Sequence, residues 1–208
     1  MPTRIKICGI TRIEDALPAT RLGADAIGFI FWPKSARFIS PAKAREIVDR
    51  LPPFVSSVGV YVDPEEGWVE ESSTIARLSL LQFHGDESPE FCDRFSLPYI
   101  KAIRVRDGVD LLQYEDLYSS SRGLLLDTYT EGMPGGTGDT FNWDLIPQGM
   151  TVPLILSGGL HPGNVSMAVK KVHPWAVDVS SGVESDKGIK DAEKIAAFMR
   201  GVRHSESL

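Results

Sequence analysis

Three dipeptides, Ser40-Pro41, Asp63-Pro64 and Ser88-Pro89, each follow or precede an apolar run and open a stretch of helical periodicity. A capping side chain before a proline at the first helical position marks a helix start. No other feature constrains the chain so strongly, because it recurs. Apolar runs at 4–8, 26–31, 58–62, 78–83, 99–103, 123–126, 152–156 and 176–179 read as strands. The segments between them read as helices. Thr11-Arg12-Ile13-Glu14 has capping-box spacing, and the helix it opens stops at Gly23. Further helical stretches fall near 89–95, 108–118, 163–173 and 190–202, with a less regular one at 143–149.

Strands separated by whole helices run parallel, since each crossover returns the chain to the same edge. Eight such units in 208 residues close most simply into a single-domain α/β fold, the (β/α)₈ TIM barrel. A doubly wound open sheet would want a glycine-rich turn after its first strand, and Cys8-Gly9-Ile10-Thr11 lacks one. The barrel is expected over residues 1–203, with 204–208 as a disordered tail.

Composition narrows the function. Acidic residues outnumber basic ones 28 to 22, a net charge of −6, which argues against a nucleic-acid surface. No apolar run approaches the ~18 residues of a membrane span. Two cysteines, Cys8 and Cys92, make no disulfide framework, and no charged-then-apolar leader precedes them. A reduced, cytoplasmic protein acting on a small molecule is expected. No zinc-ligand spacing and no Walker or dinucleotide fingerprint is present, so no cofactor is expected.

Barrel chemistry sits at the C-terminal strand ends. Alternation turns Lys6 and Cys8 inward and Ile5 and Ile7 toward the helices. A lysine beside a cysteine favours the thiolate, a nucleophile or base, although a lone cysteine is as often a small packed hydrophobe. Asp127 ends the apolar run Leu124-Leu125-Leu126, where partial desolvation favours a protonated acid; a loop salt bridge is the plainer alternative. The turns Ser157-Gly158-Gly159 and Ser180-Ser181-Gly182 follow strands seven and eight, the usual phosphate position in barrels. The loop after Asp127 carries Gly135-Gly136-Thr137-Gly138, a lid or a backbone cradle. Arg37, after strand two, suits a carboxylate, or is a solvated loop arginine. His84 either contacts substrate or satisfies a loop carbonyl. Asp178 shares an inward face with Ser180 and is placed to order the phosphate turns or substrate hydroxyls. Cys92 reads as packing.

Seven motifs in order resemble the phosphoribosylanthranilate isomerase family of tryptophan biosynthesis: Lys6-Ile7-Cys8-Gly9-Ile10-Thr11, Gly28-Phe29-Ile30-Phe31 with Ser35-Ala36-Arg37, Val58-Gly59-Val60-Tyr61-Val62, Gln82-Phe83-His84-Gly85, Gly135-Gly136-Thr137-Gly138 with Phe141 and Trp143, Ser157-Gly158-Gly159-Leu160, and Asp178-Val179-Ser180-Ser181-Gly182-Val183-Glu184. The resemblance implies the barrel already expected and an Amadori rearrangement of N-(5-phosphoribosyl)anthranilate to 1-(2-carboxyphenylamino)-1-deoxyribulose 5-phosphate. It matches Cys8 to the general base, Asp127 to the general acid and Arg37 to the arginine on the substrate carboxylate. Substrate contacts are expected from Lys6, Arg37, His84, Gly136, Gly158, Gly159, Asp178, Ser180, Ser181 and Gly182, with Lys6 favouring the thiolate.

Lys187 stands where the family often has proline, and Phe83 where leucine is more usual. The related histidine-pathway isomerase resembles a barrel with aspartates at both proton-transfer positions, so Cys8 argues against it. A dual-substrate barrel would need room for two phosphates. A non-catalytic phosphate-binding barrel would be expected to have lost Cys8 or Asp127.

Overall fold

The computed structural model describes residues 2–128 and 140–205. Its eight parallel strands are β1 (Arg4–Ile7), β2 (Ala26–Ile30), β3 (Ser56–Tyr61), β4 (Leu80–Phe83), β5 (Tyr99–Val105), β6 (Leu124–Thr128), β7 (Leu154–Leu156) and β8 (Ala176–Val179). Each pairs with the next, and β8 returns to β1 with Arg4 opposite Ala176 and Ile7 opposite Val179, closing the barrel. Around it lie α1 (Ile13–Arg21), α2 (Pro41–Val48), α3 (Glu66–Ala76), α4 (Pro89–Cys92), α5 (Leu111–Leu117), α6 (Val165–Val172) and α7 (Ala192–Ser205). No helix among the described residues is long and apolar enough to cross a membrane.

Ser40 and Ser88 cap α2 and α4 as their dipeptides suggest, accepting from the Lys43 and Phe91 amides with proline at the helix start. Two other starts differ from expectation. The Thr11 hydroxyl donates to the Gly188 carbonyl at 2.7 Å and leaves the first turn of α1 to an Arg12–Asp15 pair. Asp63 lies two residues before the cap position of α3, and its carboxylate accepts from the Asp86 amide at 2.6 Å. Long-range partners thus outcompete local caps at both sites.

Other boundaries also move. The expected helix at 89–95 is the single turn α4, and that at 143–149 is a 3₁₀ turn over Trp143–Leu145. Strand β4 begins at Leu80 because Leu78 still closes the end of α3 through the Ser73 carbonyl. The expected helix from 190 starts at Ala192, since an antiparallel hairpin of β9 (Glu184–Asp186) and β10 (Ile189–Lys190) comes first. At its far end α7 continues to Ser205, so residues 204 and 205 are helical; 206–208 lie outside the described residues.

Alternation along the strands makes two cores. Ile5, Ile7, Ile27, Phe29, Leu81, Leu124, Leu126 and Val177 belong to the large cluster between sheet and helices. Ile100, Ala102, Leu125, Ile155 and Ala176, with Leu80 against them, fill the barrel near the strand starts. Each fully buried aliphatic contributes roughly 1.5–3 kcal/mol of transfer free energy. Further along the same inward faces the residues turn polar: Lys6, Gln82, Asp127, Ser157 and Asp178 are all buried. A seal of apolar side chains thus lies beneath a polar mouth.

Candidate active site

A cavity of about 340 Å³ opens at the C-terminal strand ends, lined by Cys8, Arg37, His84, Asp127, Gly158, Gly159, Asp178, Ser180 and Ser181 among others. The barrel brings these residues together because Cys8, His84 and Asp127 lie at strand ends and the others in the loops that follow β2, β7 and β8 or, for Asp178, on the inward face of β8. Lys6 does not line this cavity. It lies one inward step lower, behind Cys8, with its ammonium 2.8 Å from the Asp178 carboxylate. Asp178 accepts a second hydrogen bond from the Ser157 hydroxyl at 3.3 Å. Burial disfavours the Lys6 charge, but Asp178 and Cys8 together outweigh it and hold its pKa above the ordinary value.

Lys6 favours the Cys8 thiolate, as expected, but does not outweigh burial. Burial pushes the Cys8 thiol up, and the pull of Lys6 in the other direction is partly offset by Asp178, so the net shift is upward. Lys6 acts in the expected sense without prevailing.

Asp127 is held from two sides. Its Oδ1 accepts from the Thr128 amide at 2.8 Å, and its Oδ2 meets His84 Nε2 at 2.9 Å. The other ring nitrogen of His84 meets the Gln82 amide nitrogen at 2.9 Å. A proton lies between His84 Nε2 and Asp127 Oδ2, on one or the other according to the ring tautomer. The His84 ring is therefore taken up by side chains and not by a loop carbonyl, and both His84 and Gln82 face the cavity.

Arg37 is not a solvated loop arginine. Its Nε and Nη2 donate to the two oxygens of Glu184, each at 2.7 Å. Glu184 also accepts from Lys190 at 2.8 Å, and Lys190 donates to the Ser180 carbonyl at 3.0 Å. Burial pushes the Glu184 carboxyl up, but Arg37 and Lys190 pull it further down, below its ordinary value of 4.5.

Gly158 and Gly159 both have positive φ, 81° and 60°, a conformation that lets consecutive backbone N–H groups turn to one side. Gly182 has a different use from the one expected. It does not line the cavity; a Cβ there would run into the Leu160 carbonyl oxygen, so its bareness lets the two turns after β7 and β8 pack together. Gly136, with its glycine-rich loop, lies outside the described residues. Among the described residues no cluster of histidine, cysteine and carboxylates is spaced to hold a metal.

Sequence reasoning gave no individual role to Gln82, Glu184 or Lys190, and Ser157 only a place in the phosphate turn after β7. Gln82 and Ser157 were within its reach, being two residues from His84 and adjacent to Gly158 on inward-facing strand ends. Glu184 and Lys190 were not, because nothing local announces the hairpin that faces them toward Arg37.

Residues 5–201 match the family model for N-(5'-phosphoribosyl)anthranilate (PRA) isomerase. The chain belongs to the PRA isomerase family. It is 70% identical to the N-(5'-phosphoribosyl)anthranilate isomerase of Nitrosospira multiformis over the full length of both chains. The crystal structure of phosphoribosyl anthranilate isomerase from Thermotoga maritima covers 97% of this chain and 99% of its own, at 43% identity and a TM-score of 0.90. A PRA isomerase in complex with reduced 1-(o-carboxyphenylamino)-1-deoxyribulose 5-phosphate is similar at 41% identity and a TM-score of 0.87, with 97% of this chain and 99% of that one covered.

Proposed function

We propose that this PRA isomerase family member, an enzyme of tryptophan biosynthesis, rearranges N-(5-phosphoribosyl)anthranilate to 1-(2-carboxyphenylamino)-1-deoxyribulose 5-phosphate, with Asp127 as general acid and Cys8 as general base. The observation that carries the reading is that Cys8, Asp127, Arg37 and the two small-residue turns line one cavity. A substrate with a carboxylate at one end and a phosphate at the other needs that set.

The phosphate would be held by backbone N–H groups around Gly158–Gly159 and Ser180–Ser181, and the anthranilate carboxylate by Arg37. Asp127 then gives its proton to the furanose ring oxygen. The C1–O bond breaks as the amine lone pair forms the C1=N iminium. Cys8, as thiolate, removes the C2 proton, and the C2–H electrons form an enolamine while the C=N electrons return to nitrogen. Loss of the enol proton and protonation at C1 give the ketone. Asp127 recovers a proton as the enol loses one and Cys8 gives one up as C1 gains one, while C2 is oxidised and C1 reduced within the one molecule, so no oxidant or reductant enters the balance.

Cys8 has a raised pKa at rest, so its base form is the minor one. Lys6 increases that fraction, and the iminium cation increases it again once the ring has opened. His84 and the Thr128 amide position Asp127 for its transfer.

Decay of anthranilate fluorescence on mixing the protein with freshly made phosphoribosylanthranilate tests the activity. Cys8→Ala and Asp127→Asn are each expected to lose about 10²–10⁴-fold in kcat. Absence of turnover by the wild type would refute the activity. Turnover undiminished in both variants would keep the activity and refute the two assignments.

A further inference from the structure

The β9–β10 hairpin carries a group that the proton-transfer chemistry does not use. Glu184 is buried at the start of the hairpin and Lys190 is buried at its end. Between them they put two cations, Arg37 and Lys190, on one carboxylate. With two cations on one carboxylate, the cluster keeps a net positive charge whose open side is Arg37, at the cavity wall.

The geometry says where an anion would sit. A guanidinium has two edges fit for bidentate pairing, one through Nε and Nη2 and one through Nη1 and Nη2. Glu184 takes the first edge with both oxygens at 2.7 Å. The second edge has no partner among the described residues, and Arg37 lines the cavity. The stem of Arg37 is fixed as well. It passes so close over Gly9 that a Cβ there would lie 2.7 Å from Arg37 Cδ. Glu184 is itself fixed, by Lys190 at 2.8 Å, by the Gly188 amide at 3.3 Å and through its own carbonyl by Lys194 at 2.7 Å.

We propose that Glu184, backed by Lys190, is a positioning residue that presents the Nη1–Nη2 edge of Arg37 to the cavity, and so sets the preference of the site for N-aryl ribosylamines that bear a ring carboxylate. An unheld arginine loses side-chain freedom on binding; one already held by a fixed carboxylate does not. The inference rests on the reading that Arg37 binds the substrate carboxylate.

Two substrates separate this role from a merely structural one. N-(5-phosphoribosyl)anthranilate carries both anions, and N-(5-phosphoribosyl)aniline keeps the phosphate and the reacting sugar but lacks the carboxylate. For Glu184→Gln, kcat/KM on the anthranilate substrate is expected to fall at least tenfold, chiefly through KM, with less than a threefold change on the aniline substrate. Lys190→Met, which leaves Glu184 in place but unbacked, is expected to show a smaller loss with the same selectivity. Glu184→Asp is expected to recover part of the preference. Equal losses on both substrates in Glu184→Gln and Lys190→Met would overturn the proposal and make the cluster a brace for the phosphate turn. Arg37→Ala checks the underlying reading separately. If it lowers both substrates alike, Arg37 does not bind the carboxylate and both claims fall. If it is selective while Glu184→Gln is not, only the role of Glu184 falls.

Discussion

Two lysines in this barrel have nearly the same neighbours and opposite uses. Lys6 pairs with Asp178 beside Cys8 inside the barrel, and Lys101 pairs with Glu87 near Cys92 on its outer side. Both ammonium groups are buried. Lys101 is saturated: it donates to the Gly85 carbonyl at 2.6 Å and Glu87 at 3.0 Å, with the Phe83 and Ala102 carbonyls within 3.4 Å. Glu87 in turn accepts from the Asp63 and Gly85 amides. Lys6 has one carboxylate and one thiol, and that thiol faces the cavity. A buried charge with every valence filled holds loops in place. One with a valence left over acts on whatever stands next to it.

The largest effect that divides the two is expected from Lys101→Met. Removing one partner leaves Glu87 buried with its charge uncompensated, at about 3–5 kcal/mol. The melting temperature should fall by roughly 6–20 °C, while kcat/KM of the folded fraction stays within about twofold of wild type. A stable but inactive variant would break the distinction.

Lys6→Met leaves Asp178 buried without its cation and so also lowers the melting temperature, but here kcat of the folded fraction falls by about a hundredfold. Its pH–rate profile carries the sharper test. Lys6 pulls the Cys8 thiol down, so without it the limb on which the rate rises with pH should move to higher pH. An unchanged profile would remove Lys6 from the chemistry.

Asp178→Asn should move the same limb the other way. Asp178 pushes the Cys8 thiol up, and removing its charge makes thiolate available at lower pH. The shift is expected to accompany a loss in kcat, since Lys6 and Ser157 lose their shared acceptor. A shift to higher pH would show that Asp178 acts on Cys8 mainly by holding Lys6 rather than by its own charge.

Cys92→Ala should do least. Burial pushes that thiol up to about 12, and it does not line the cavity. A cost of about 1 kcal/mol in stability is expected, with the pH–rate profile unmoved. Any movement would mean that the limb does not belong to Cys8 alone.

The barrel was legible because its signals are local and repeated. Serine before proline at 40 and 88, and alternation ending in Cys8 and Asp127, need no distant partner to be read. What went unread shares one cause. Thr11 looks like a cap until Gly188 arrives 177 residues later, and Arg37, read as a carboxylate binder, shows no sign of the Glu184 that already holds one of its edges. The direction of the Cys8 shift depended on weighing burial against one cation, a balance that residue types alone do not supply. Lys101 drew no attention, because its outward strand position lies under the helices and nothing local announces that Glu87 and Tyr118 will meet its ammonium there.

Closure of β8 onto β1 has a kinetic side. Lys6 and Asp178 stand 172 positions apart in the chain, and their contact exists only once the ring is complete. Contacts of such separation form late and slowly, because the entropy of closing the loop comes before any reward. Until the eighth strand docks, the first carries a lysine without a counter-ion on its inward face. Recovery of pH-tuned turnover during refolding therefore reads out when β8 docks on β1.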